Sequence, residues 1–354
     1  CTSWLEGTRV LALEEVPKFA EVLRFARTVG IAGHGEPLAH PRCDEVLARI
    51  AGYLDPRCES YVITNGVFLE ERLDALRKVN VTTFNISLNA VTPETHERVM
   101  GLGPAALPKI LATIERLLAV RDSDSGVVRV TVSFVVNRDN VHELPDFVRL
   151  GNRLRVDTIY LRTLMPVASL PWGLNYQALP PYRHPDFQRC VSEAKQAIAS
   201  SRVQVLADVE SWGGPVLSPA VEEEVRRKVL PMIDRRQAAA DPRIRAKYAT
   251  FYEGNAGHGR PLADVADPMD DGSNPYGRGA HYRCAFVYHD FIVNDFNMRL
   301  IPCCYMAQVP GFEVVRFDDT RPFLDYWNSP AFVALRRRLK EGPLYGACRR
   351  CPAQ

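Results

Sequence analysis

The sequence has no long apolar run. Nothing in its 354 residues approaches the roughly 18–20 consecutive apolar side chains that a membrane span needs. It has little net charge either: 44 basic and 42 acidic residues leave a formal +2, with the two signs interleaved. That balance gives no electrostatic case for a nucleic-acid or membrane-surface partner. The one dense basic run, RRRLK at 336–340, lies on a helical pattern and reads as a solvated helix face. No secretory signal pattern opens the sequence, so cytoplasm is the expected location. The pair Gly33 and Gly35 lacks the third glycine of a dinucleotide fingerprint, since position 38 is Leu.

What is present fits a large domain with a smaller one beside it, at 46% hydrophobic and 24% charged residues. Strand-like runs occur at 29–33, 60–65, 82–88, 127–136 and 158–164, separated by amphipathic helical stretches such as ERLDALRK and LPKILATIERLLAV. Repeated strand–helix units predict parallel strands with right-handed crossovers, in an open doubly wound sheet or a barrel. From 165 to 280 the chain turns rich in Pro, Gly and Tyr, with helical stretches near 185–199 and 219–238 and a short strand candidate at 203–208. Long connecting segments of this kind are usually lids or binding segments.

In a parallel α/β fold, ligands bind at the carboxyl ends of the strands. GHGEP at 33–37 falls there, directly after the first strand-like run. Gly33 and Gly35 leave the backbone open to a ligand, and Pro37 holds Glu36 extended. Asn65, Ser87, Ser133 and Asn137 recur at the same end of successive strands. Such a ring suits one extended polar ligand with an amino group, a carboxylate and a ribose.

Nine cysteines are unevenly placed: Cys1, Cys43, Cys58 and Cys190 are scattered, whereas Cys284, Cys303, Cys304, Cys348 and Cys351 crowd the last quarter. In a cytosolic chain that crowding predicts metal rather than disulfides. Cys284 and Cys303 across a hairpin-like stretch, with the Cys-x2-Cys pair 348/351, suit either a tetrahedral zinc or a 4Fe-4S cluster. Cys304 adjoins Cys303 and points elsewhere in an extended strand.

GHGEPLAHP, VITNGVFLEERLDALRK and FNISLNAVTPETHERVMG together resemble the radical S-adenosylmethionine (SAM) superfamily. The tail, CAFVYHDFIVNDFNMRLIPCC through ACRRCP, resembles the SPASM/twitch auxiliary-cluster domain of that superfamily. The resemblance implies an α/β fold, a partial (β/α)6 TIM-like barrel over 1–164 whose first strand lies upstream of residue 1. It further implies an insertion or lid over 165–280 and a small cysteine-rich domain over 281–354. Cys1 then falls where the third ligand of the SAM-cleaving 4Fe-4S cluster belongs. The turn 33–36 would bind the methionine amino group, through Glu36 directly or through a backbone that Glu36 shapes. Ser87 and, more loosely, Asn65 would line the SAM pocket, with Ser133 and Asn137 near the ribose and carboxylate. Cys284, Cys303, Cys348 and Cys351 would hold one auxiliary 4Fe-4S cluster.

The implied activity is reductive cleavage of SAM to a 5′-deoxyadenosyl radical. That radical would abstract hydrogen from a small natural product, such as an aminosugar, or from a peptide, with a flavodoxin or ferredoxin as electron donor. Two-electron oxidation is the leading reaction class. Redox-neutral epimerisation, with Cys304 or Cys190 returning a hydrogen atom, and cobalamin-dependent methylation are rivals. From another class, a non-catalytic zinc-binding protein is the alternative.

Overall fold

The computed structural model describes residues 10–33, 35–123, 128–163, 184–207, 284, 292–294, 299–301, 315–317 and 320–349. The described residues fall into two compact units. The larger holds a six-stranded sheet, all parallel, formed by β1 (Thr28–Ile31), β2 (Glu59–Thr64), β3 (Val81–Ser87), β4 (Arg129–Val136), β5 (Thr158–Thr163) and β6 (Gln204–Ala207). Their order across the sheet is their order in the chain, β1-β2-β3-β4-β5-β6.

That order decides between the two architectures left open. A doubly wound sheet reverses direction partway across, whereas an unreversed sheet with right-handed crossovers carries all its helices on one face. This is a part-barrel. The five strand-like runs before residue 164 are all present, and the run at 203–208 forms β6 beside β5. Part of the stretch 165–280 therefore completes the sheet.

The connecting helices are α1 (Ala20–Phe25), which precedes β1, then α2 (Cys43–Ala51), α3 (Leu69–Lys78), α4 (Pro93–Met100), α5 (Ala106–Ser123), α6 (Leu144–Leu154) and α7 (Phe187–Ala199). In α6 the buried residues Leu144, Phe147, Val148 and Gly151 recur at helical spacing, and Phe147 meets Phe134 of β4 with ring centroids 4.7 Å apart. Alternate strand residues, Val62, Phe84, Ile86, Val130, Val132, Phe134, Ile159 and Leu161, are buried in one core that also takes in the helices' apolar faces. The intervening residues point the other way. On that open face Tyr61, Ile63 and Leu206 are 37%, 39% and 46% exposed. Most of its other positions are polar: Thr83, Asn85, Ser87, Thr131, Ser133, Thr158, Tyr160, Arg162 and Gln204, adjacent in register.

The smaller unit has an antiparallel three-stranded sheet, β7 (Ile292–Asn294), β8 (Arg299–Ile301) and β9 (Val315–Arg316), and the helices α8 (Phe323–Trp327), α9 (Pro330–Glu341) and α10 (Gly346–Arg349). The basic run 336–340 lies on α9, which buries Phe332, Leu335 and Leu339. Arg337 and Lys340 are exposed as a solvated face requires, whereas Arg338 packs over the Tyr345 ring at 3.7 Å and Arg336 over the Trp327 ring at 5.1 Å. No helix among the described residues is long and apolar enough to cross a membrane.

Candidate functional site at the carboxyl ends of the strands

The loop after β1 is tied to the end of β2 by one side chain. Glu36 is extended (φ −93°, ψ 109°), as a residue before proline must be. Its Oε1 accepts the Leu38 N–H at 3.1 Å and the Thr64 hydroxyl at 2.7 Å, and its Oε2 accepts the Asn65 N–H at 2.6 Å. Thr64 Oγ1 accepts the Gly66 N–H at 2.9 Å, and Asn65 Oδ1 accepts the Val67 N–H at 3.0 Å. Of the two roles open to Glu36, the geometry favours shaping the turn. Three donors already engage the carboxylate. Gly66 has φ +83°, and a Cβ there would stand 2.8 Å from Ile110 Cγ2, so only glycine fits this turn. A Cβ added at Gly35 would meet nothing within 4 Å, which leaves that backbone open to approach.

The ends of β3 and β4 form the second part. The Ser133 hydroxyl donates to the Ser87 hydroxyl at 3.3 Å, and the Ser133 carbonyl accepts from Leu88 N–H at 3.1 Å and Asn89 N–H at 3.3 Å. Asn89 sits in the left-handed region (φ 57°), and its Oδ1 accepts the Val135 N–H at 2.7 Å. Asn137 departs from expectation. It is 8% exposed, its Oδ1 accepts the Asp139 N–H at 2.8 Å, and its Nδ2 donates to the Val135 carbonyl at 3.4 Å. Its carboxamide therefore holds its own turn instead of presenting itself to a ligand. Asn65 likewise closes its own turn through Oδ1.

Sequence reasoning missed Thr64, Asn89, Asn140 and Glu143. Asn140 Nδ2 donates to the carbonyls of Asn89 and Val135, each at 2.9 Å, and its Oδ1 accepts the Asn137 N–H at 2.8 Å. The carboxylate of Glu143, 5% exposed, accepts from the Thr92 hydroxyl, from Val91 N–H at 2.5 Å and from Thr92 N–H at 3.3 Å. The spacing Asn137, Asn140, Glu143, three residues apart just after a strand, is the signal that marks them. Nearby, His142 stacks on His184 with ring centroids 5.5 Å apart; burial, then the His142 charge, pushes the His184 imidazole below its ordinary pKa.

The cysteines separate by environment. Cys43, Cys58 and Cys190 are buried free thiols, and desolvation pushes all three above the ordinary thiol pKa. Such thiols are poor metal ligands. Cys190 is 1% exposed on α7 inside the core, so it is a packing residue and not a hydrogen-atom donor. Cys284 and Cys348 lie in the described residues, Cys348 buried; Cys1, Cys303, Cys304, Cys351 and His34 lie outside them.

A sheet wound in one direction, with hydrogen-bonded polar turns at its carboxyl edge, defines a part-barrel of the TIM-like class. Residues 2–151 match the family model described as the radical SAM superfamily. It is 30% identical over 210 residues to PqqA peptide cyclase of Gluconobacter oxydans, covering 58% of this chain and 54% of that protein. It is 29% identical over 134 residues to a probable GTP 3',8-cyclase of Methanosarcina mazei, covering 36% and 37%. This chain thus spans about half, or less, of the length of these curated relatives. Among solved structures, SuiB of Streptococcus suis bound to precursor peptide SuiA aligns with TM-score 0.52 at 12% identity, covering 94% of this chain and 62% of that one. That likeness is one of fold.

Proposed function

We propose that this chain is a radical SAM enzyme that carries out a two-electron oxidation on a peptide. The observation that carries the reading is the Glu36 clasp, which fixes the turn 33–36 against the end of β2 while leaving the Gly35 backbone open. Those residues fit SAM: backbone groups for the methionine amino group, and the Ser87–Ser133 hydroxyl pair for the ribose and carboxylate. Asn65 and Asn137 act behind them by holding turns.

Four cysteines of this spacing suit an iron–sulfur cluster as well as zinc, and the resemblance to the SPASM/twitch domain favours iron. Cys1 would be one ligand of the SAM-cleaving cluster, and Cys284, Cys303, Cys348 and Cys351 would hold one auxiliary cluster in a SPASM/twitch domain spanning 281–354. When bound, these groups supply a 5′-deoxyadenosyl radical and an electron acceptor; the chemistry is theirs. The chain's own work is to bind and orient. The polar face of the sheet, from Thr83 across to Gln204, receives the substrate.

A peptide substrate is supported by the PqqA peptide cyclase relative, whose match extends over more of this chain than those of the probable GTP 3',8-cyclases. A small-molecule substrate is the second reading, favoured by the probable GTP 3',8-cyclases. The test is anaerobic reconstitution of the full-length protein with iron and sulfide, followed by iron analysis and dithionite-dependent conversion of SAM to 5′-deoxyadenosine. About eight irons per chain, four for each of two clusters, with SAM cleavage support the reading. Bound zinc and no cleavage overturn it in favour of a binding protein.

A further inference from the structure

We infer that Glu143, acting with Thr92, is a positioning residue for the SAM pocket: it fixes the segment that follows Ser87 against the end of β4. This rests on the reading that the Ser87–Ser133 rim binds SAM.

Glu143 follows β4 in the chain, yet its hydrogen bonds run to the segment after β3, 51 and 52 residues away. A carboxylate only 5% exposed is costly unless it is well paired. Here both oxygens are engaged by Val91 N–H, Thr92 N–H and the Thr92 hydroxyl, at the point where α4 begins. The positive end of that helix adds to the compensation. Asn140 makes a second tie, donating to the carbonyls of Asn89 and Val135. Asn89 returns a third by accepting the Val135 N–H. Residues 89–92 are thus held from both ends, and Ser87, two residues before them, meets Ser133 at 3.3 Å. The spacing of those two hydroxyls is set from behind by Glu143 and Asn140.

Glu36 does the equivalent task for the neighbouring strand pair. It joins the loop after β1 to the end of β2, as Glu143 joins the turn after β4 to the end of β3. Each glutamate reaches across one strand boundary, and together they leave the carboxyl edge little freedom to widen.

The experiment uses the reconstituted full chain and measures the SAM dissociation constant by equilibrium dialysis, the melting temperature, and amide exchange at Val91 and Thr92. Glu143→Gln keeps the shape but leaves one acceptor oxygen, so either the Val91 and Thr92 N–H groups or the Thr92 hydroxyl loses its acceptor; Thr92→Val removes the hydroxyl donor and, with it, the acceptor for the Thr95 N–H at the start of α4. The expected result is a SAM dissociation constant raised about tenfold in Glu143→Gln, of the order lost when an outer-shell partner is removed. Thr92→Val raises it less, and the double variant binds SAM about as Glu143→Gln does because the hydroxyl–carboxylate contact is lost once, while the lost cap on Thr95 N–H lowers its melting temperature further. Exchange at Val91 and Thr92 quickens in step. Unchanged SAM binding in both variants, with a lowered melting temperature, overturns the inference and leaves Glu143 a stabilising residue alone. If Glu143→Gln does not fold, unchanged binding in Thr92→Val overturns it. A wild-type chain that binds no SAM sinks both the inference and the SAM reading beneath it, which separates that failure from the others.

Discussion

The Glu36 carboxylate accepts the Thr64 hydroxyl at 2.7 Å across 28 residues of sequence, and this contact joins the first two strand ends. Removing a partner from such a contact strands the other group. Thr64→Val and Glu36→Gln are each expected to lower the unfolding free energy by about 1–3 kcal/mol. A double-mutant cycle in urea should return a coupling of about 1 kcal/mol. Additive losses would show that the two groups act separately.

His96, on α4, is fully buried, and neither ring nitrogen has a hydrogen-bond partner among the described residues. Burial pushes its pKa below the ordinary value of 6.5, with the Glu143 carboxylate partly opposing that shift. Below about pH 6.5 the unfolded chain therefore takes up a proton that the folded chain refuses. The associated stability is complete above that pH and is lost as pH falls toward the lowered pKa. Urea unfolding at pH 7.5 and pH 5.5 should show this loss, and His96→Leu should flatten it. An unchanged slope in the variant assigns the pH dependence elsewhere.

Gly66→Ala places a methyl group where φ is +83° and Ile110 stands 2.8 Å away. We expect a cost of about 1–3 kcal/mol. SAM binding should weaken as well, because the Gly66 N–H also orients Thr64 toward Glu36. Wild-type stability in this variant would show that the turn relaxes without consequence.

The two sorts of cysteine should respond differently to replacement. Cys43→Ser, Cys58→Ser and Cys190→Ser each alter a buried thiol and should leave iron content unchanged, at a modest cost in stability. Cys348→Ser should remove about four irons per chain, one cluster's worth. Equal iron in all four variants would detach Cys348 from any cluster.

The strands were legible because both faces leave a trace: VRVTVSFVV alternates, and the runs between strands carry helical spacing. Glu36 was legible as a site residue through its glycines and proline. Its role was not, because Thr64 and Asn65 lie 28 and 29 residues on and only the parallel pairing of β1 with β2 brings them near. For the same reason Asn137 looked like a ligand contact. An asparagine at a strand end can face outward or fold back on its turn, and the choice belongs to Asn140 and Asp139. Glu143 was missed because a glutamate ahead of an amphipathic helix ordinarily reads as a first-turn acid.

Because the described helices that connect the strands pack on one face of the sheet, neighbouring residues along a single strand serve different ends. On β3, Phe84 and Ile86 belong to the packed interior, while Asn85 and Ser87 between them do not. Exchanging the second pair alters what the surface can recognise and leaves the interior volume as it was. On the proposed reading, exchanges at these alternate positions change the substrate that the face accepts while the helix-packed interior keeps its volume.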